Sequence, residues 1–195
     1  MNIRLLTFLF LLVIFSCKEK YTPKPYAYFR IDFPKKQYHA LPNKFPYQFQ
    51  IPDYSKITKD PSNPDKNNWI NIEVPANKAE IHLSYYNLEN GIKSSNFFLA
   101  QLVEESRSLA YKHSEKANAI GEQLFINPEK NVFGTVYKIK GNTASSMQFF
   151  LTDSTKHFLR GALYISATPN IDSLKPVIEF LETDVVKLIE TTSWN

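Results

Sequence analysis

Cys17 is the only cysteine in this 195-residue chain, and it stands directly behind an apolar run. A lone thiol closes no internal disulfide, so whatever folds beyond it must be held by its hydrophobic core. The composition supplies one: 43% of the residues are hydrophobic, with 15 Phe and 11 Tyr. A chain of this length buries enough surface for one domain without metal or disulfide support. Only five glycines occur, which leaves little material for glycine-rich phosphate loops.

The N-terminus carries its own message. Residues 5–15 are apolar apart from Thr7 and follow Arg4. The run is too short to span a bilayer, which takes about twenty residues, and has the length of a signal-peptide h-region. Ile14-Phe15-Ser16-Cys17 resembles the lipobox cleaved by the lipoprotein signal peptidase: a branched apolar residue, a small residue, then cysteine, with Phe15 bulkier than usual between them. Residues 1–16 therefore read as an export signal, and Cys17 as a lipidated N-terminus. Only a thiol carries the thioether-linked diacylglyceryl group, after which the freed amine takes a further acyl chain. Each buried methylene contributes about 0.8 kcal/mol, so two or three chains anchor stably where one does not. Residues 17–26 read as the tether. At about 3.1 Å per residue, its Pro-rich part, residues 18–25, reaches roughly 25 Å and keeps the domain near its membrane.

Beyond the tether, alternation predicts strands at residues 27–33, 45–51, 69–74 and 80–86, with a long loop at 53–68 of the kind that often carries binding residues. At 95–112 the period becomes helical: Phe98, Leu99, Leu102, Val103, Leu109 and Ala110 share a face, with Ser94, Ser95 or Asn96 as N-cap. Strands follow at 120–126, 132–140, 145–152 and 156–167, and the turn pairs Gly141-Asn142 and Asp153-Ser154 favour antiparallel hairpins. A second helix is predicted from 172 to 190. Its stripe is Leu174, Val177, Ile178, Leu181, Val185, Leu188 and Ile189, with Glu179, Glu182, Asp184 and Lys187 mostly off it. Asp172 or Ser173 would cap it and leave Pro176 in the first turn.

The expected architecture is α+β: a single domain over 27–195, an antiparallel sheet of about six to eight strands packed by two main helices. A PsbP-like or Mog1-like arrangement fits by fold-level analogy alone. Tyr85-Tyr86 and Phe149-Phe150 put rings on both faces of their strands, so helices or a partner must cover the second face.

Chemistry-bearing patterns are scarce. His39, His82, His113 and His157 lack metal-ligand spacing, and no Gly-x-Ser-x-Gly elbow, Walker loop or Gly-x-Gly-x-x-Gly fingerprint occurs. Glu104-Glu105 and the Glu179/Glu182 pair read as solvated helix faces. Asp153-Ser154-Thr155-Lys156-His157 holds acid–base ingredients but is also good turn chemistry. The formal charge of +4 is mild and scattered, unlike a nucleic-acid stripe. No catalytic residue, metal ligand or cofactor is therefore expected beyond the covalent lipid on Cys17. Two rival readings stay open: an envelope hydrolase in which Asp153, His157 and His113 meet in a cleft, and a cell-wall or lipid binder with an aromatic-lined pocket.

Several stretches together resemble the gliding-motility lipoprotein GldD family of Bacteroidetes. They are Tyr28-Phe29-Arg30-Ile31-Asp32-Phe33-Pro34, Asn68-Trp69-Ile70-Asn71-Ile72, Ala79-Glu80-Ile81-His82-Leu83-Ser84-Tyr85, Tyr111-Lys112-His113, the long run 140–164, and Pro176-Val177-Ile178-Glu179-Phe180-Leu181. The resemblance implies a non-enzymatic envelope component needed for gliding and for the associated type IX secretion system, with fellow lipoproteins and motor components as partners and no nucleic acid. Tyr111, Lys112 and His113, and the hairpin residues Asp153, Lys156, His157 and Arg160, are the expected contact surfaces. Lys18-Glu19-Lys20 carries one acidic residue where surface-export signals of that phylum usually have at least two, which points to a periplasm-facing anchor. Replacing Cys17 by Ala is expected to leave the chain unacylated, mislocalise it and abolish spreading. Mass spectrometry of the mature N-terminus and a spreading assay check this, and full motility by a soluble, unlipidated form contradicts it.

Overall fold

Hydrophobic alternation and tight turns draw the chain into two antiparallel meanders. The computed structural model describes residues 31–90, 95–167 and 171–195. The signal (1–16), Cys17, the tether (17–26), residues 27–30 of the first predicted strand and the Ser94 cap lie outside the described residues. Ile31–Asn195 forms one compact unit. In chain order its elements are β1 (Tyr38–Ala40), β2 (Tyr47–Gln48), β3 (Gln50–Pro52), β4 (Lys56–Lys59), β5 (Ile70–Val74), β6 (Ala79–Asn87), α1 (Ser95–Tyr111), β7 (Ala117–Asn127), β8 (Val132–Gly141), β9 (Ser145–Thr152), β10 (His157–Ile165), α2 (Ile171–Thr191) and β11 (Ser193–Trp194).

The main sheet has seven strands in the order β4-β5-β6-β10-β9-β8-β7. All neighbours are antiparallel, and the meanders join where β10 pairs with β6, Leu159 opposite Tyr85. The α+β expectation of one antiparallel sheet and two helices holds. The helices take opposite faces. Val177, Leu181, Val185, Leu188 and Ile189 of α2 pack with Ile72, Ile81, Leu83, Phe149, Leu151 and Leu159. Leu102 and Ala110 of α1, with Phe98, Leu99 and Val103, pack with Tyr137, Phe150, Phe158 and Tyr86. Each paired aromatic thus finds its own layer, Phe149 and Tyr85 under α2, Phe150 and Tyr86 under α1. No helix among the described residues is long and apolar enough to cross a membrane.

Four local expectations change. Residues 31–33 are not in a strand. The predicted strand 45–51 divides, because Tyr47 pairs with Trp194 while Gln50 pairs with Ala40. Part of the predicted loop 53–68 is the edge strand β4, whose Lys-Ile-Thr-Lys sequence is too polar to stand out. α2 begins at Ile171, ahead of the expected caps, and so encloses Pro176.

A close approach explains one glycine. A Cβ at position 161 would lie 2.2 Å from the Phe149 ring, which lies against the backbone there. Gly161→Ala is expected to cost about 1–3 kcal/mol through overpacking. Urea unfolding measures it, and an unchanged midpoint contradicts the packing described.

Candidate functional site

The most concentrated polar chemistry surrounds Asp184, whose side chain is 1% exposed. Lys36 Nζ approaches its Oδ1 to 2.6 Å, and the Tyr38 hydroxyl donates to the same oxygen at 2.9 Å. The Tyr54 hydroxyl donates to Oδ2 at 2.6 Å. Lys36 also donates to the Phe180 carbonyl at 2.7 Å and lies 3.4 Å over that residue's ring, on which Phe33 stacks. Burial pulls the Lys36 pKa down against the opposing pull of Asp184. Burial, then the hydrogen bond to Asp184, raises both phenols well above their ordinary value. A half-buried lysine paired with a buried carboxylate, its hydrogen bonds made, is a clamp, and removing the lysine strands the buried charge. It fastens residues 33–54 to α2. Asp184, which the sequence pattern places mostly off the apolar stripe, is buried within it, one helical turn from Leu181 and Leu188. That carboxylate among apolar neighbours was the available signal, but its partners lie too far along the chain for any motif.

The hairpin between β9 and β10 is built by Asp153. Its Oδ1 accepts the backbone N–H groups of Thr155 (3.0 Å), Lys156 (2.8 Å) and His157 (2.8 Å). Burial pushes this carboxyl up, yet the three donors hold it below the usual range. His157 is buried, its Nδ1 2.8 Å from the Tyr85 hydroxyl and its ring stacked on Trp194 with centroids 5.1 Å apart. Burial lowers its pKa, so the neutral ring accepts from Tyr85. Lys156 is exposed.

Tyr111 and Lys112 are exposed at the end of α1, with His113 half-buried beyond them. The Tyr111 hydroxyl donates to Glu122 Oε1 on β7 at 2.7 Å, and Arg107 Nε lies 3.5 Å from that oxygen. His113 is lowered by burial and then by the charge of Arg160, which donates from Nη2 to Gln148 Oε1 at 2.9 Å. The α1 terminus and Arg160 therefore come together. Arg160 and His157, three residues apart on a strand, project from opposite faces. Asp153 and His157 share the hairpin, but His113 lies across the sheet from His157, so the hydrolase cleft is not formed. Among the described residues no group of three His, Cys, Asp or Glu is placed to hold a metal. His39 instead pairs with Asp53 and His82 with Glu80. The concavity beside Tyr111 is an open groove on α1, lined by Glu104, Arg107, Ser108, Tyr111 and Lys112, with a single aromatic ring among them.

One surface was not anticipated. Among the described residues β7 ends the sheet with an edge that no strand pairs, and it carries Leu124 and Ile126, 73% and 64% exposed, next to the Tyr111–Glu122 contact. The other edge, β4, has only four residues and is flanked by Lys56 and Lys59, a common protection against edge pairing. Alternation identified β7 as a strand, but its place at the end of the sheet depends on the pairing of all the others.

Comparison with known proteins gives one family: the description "Gliding motility lipoprotein GldD" matches residues 18–194. No curated protein matches. Among solved structures, the cyanobacterial PsbP (CyanoP) of Synechocystis sp. PCC 6803 is similar, with a TM-score of 0.46 and 6% identity over 85% of this chain and 95% of that one.

The His157 environment predicts a pH response. A histidine with a lowered folded pKa contributes stability that is complete above its ordinary value of 6.5 and is lost as the pH falls through the lowered one. Tryptophan fluorescence is expected to change below pH 6.5 as the charged ring loses its place between Tyr85 and Trp194. His157→Phe, which keeps a ring without a titration, should abolish that change; an identical profile in the variant contradicts the assignment.

Proposed function

The chain belongs to the gliding motility lipoprotein GldD family, and on that premise we propose that it is a non-enzymatic, lipid-anchored assembly component of the gliding and type IX secretion machinery. Cys17 carries the anchor, and the domain faces the periplasm. Confinement to a membrane raises its effective concentration against other anchored proteins, so modest contacts suffice. Fellow gliding and secretion lipoproteins and motor components are the partners.

The observation that carries this reading is the β7 edge. Along its eleven residues the backbone groups that point away from β8 have no strand partner among the described residues, with Leu124 and Ile126 as exposed apolar side chains on one face. An incoming partner strand would take its main-chain bonds there and cover both side chains, a recognised mode of association. Tyr111 and Lys112 border the same surface and complete it. Arg160 lies with the α1 terminus on that surface, and Lys156, exposed at the hairpin, belongs to a second, smaller contact. The hydrolytic alternative lacks comparable support, since Asp153 is engaged by backbone N–H groups and His157 by Tyr85.

The test is Leu124→Asp with Ile126→Asp in gliding cells. Both side chains are exposed, so the melting temperature should stay close to wild type, while spreading and co-purification of envelope partners are lost. Wild-type spreading by a stably produced double variant contradicts the proposal.

A further inference from the structure

The β4 edge holds a second feature, independent of the β7 surface. A cavity of about 280 Å³ opens between the loop after β1 and the outer side of β4, lined by Lys44, Phe45, Ile57, Thr58, Lys59, Asn67, Asn68 and Ile70. Its base is apolar: Phe45 and Ile70 are buried core residues, and Ile57 packs against them. Its rim is polar and cationic. Thr58 spends its hydroxyl on Glu73. Lys44 lies over the Phe45 ring, 5.2 Å from its centroid. Lys44 and Lys59 are exposed, and among the described residues neither is held by an ion pair, in contrast to the half-buried Lys36.

Both walls are fixed from behind. Asn195 Nδ2 donates to the Phe45 carbonyl and to Asn43 Oδ1, at 2.9 and 3.1 Å. Opposite, the Tyr47 hydroxyl donates to the Asn68 carbonyl at 2.8 Å. The nearby acidic groups are turned to internal work, Asp60 accepting from Ser62 and Asn63, and Glu73 from Thr58. A preformed concavity keeps the ordering cost of binding low. Two ammonium groups and carboxamides above an apolar floor fit a phosphate ester carrying a short apolar portion.

We infer that this cavity binds the phosphate headgroup of an anionic phospholipid, seating the glycerol and first methylenes on Phe45, Ile57 and Ile70. The choice of a lipid as the source rests on the membrane-anchored reading above; the phosphate-ester chemistry does not. Each lysine at an anionic surface strengthens binding about fivefold, so the pair gives a measurable effect.

The test uses the mature chain with Cys17→Ser, so that acyl insertion plays no part, and flotation with phosphatidylcholine vesicles with or without phosphatidylglycerol. Binding is expected only with phosphatidylglycerol, and Lys44→Gln with Lys59→Gln should weaken it about thirtyfold. Lys138→Gln with Lys140→Gln, the same charge loss five strands away on β8, should change it less than about twofold. Equal loss in both pairs, or no flotation together with no shift of the amide resonances around residues 57–59 by glycerol phosphate, overturns the site. A glycerol phosphate shift without flotation overturns the lipid source. A chain that is acylated in cells yet fails here refutes the cavity alone and leaves the anchor standing.

Discussion

Burial of both faces of the central strands governs this fold. All eight residues of β9 are buried, so Phe149 and Phe150, adjacent in sequence and opposite in direction, each need a covering layer. A single helix serves only one face. α2 covers the first and α1 the second, and the crossover through α1 brings the second meander back so that β10 pairs with β6. Strands at the ends of the sheet receive less cover: β7 lies beyond the reach of the α1 core contacts and keeps Leu124 and Ile126 in solvent, while Phe125 packs against the core on the α2 side. The exposed edge is thus a consequence of where two helices of this length run out.

The periphery is joined to this core by polar contacts. Lys36, Tyr38 and Tyr54 converge on one buried carboxylate of α2, and the last residues return as β11 to pair with β2. The aromatic stack of Phe33 on Phe180 and the Asp184 clamp are among the first contacts the described chain makes. The same region forms one wall of the cationic cavity, because Asn195 holds the loop that carries Lys44 and Phe45.

The legible parts of the sequence were those in which one segment contains the whole signal. The stripes of α1 and α2 and the Asp153-Ser154 turn could be read locally, and the doubled aromatics announced a sheet covered on both sides. β1, β2 and β11 are two or three residues long and exist through distant partners, so no local period marks them. The Lys36–Asp184 clamp joins residues 148 apart. Of the expected contact residues, Tyr111 and Lys112 are exposed beside the β7 edge, whereas Asp153 and His157 are consumed in shaping their hairpin. Their exposure depends on backbone turns and packing that composition does not encode. The edge itself was invisible, since a strand's rank in a sheet is a property of the complete topology.

The central claim is that an anchored domain works by offering its free sheet edge to another envelope protein. Photo-crosslinking in gliding cells tests it most directly, with a photoreactive residue at position 124 and, for comparison, at position 56 on the opposite edge. The account predicts a discrete adduct with a gliding or secretion component from position 124, dependent on Cys17 and absent from position 56. An absence of adducts at 124 under conditions in which the cells glide, or the same adducts from both edges, would contradict it.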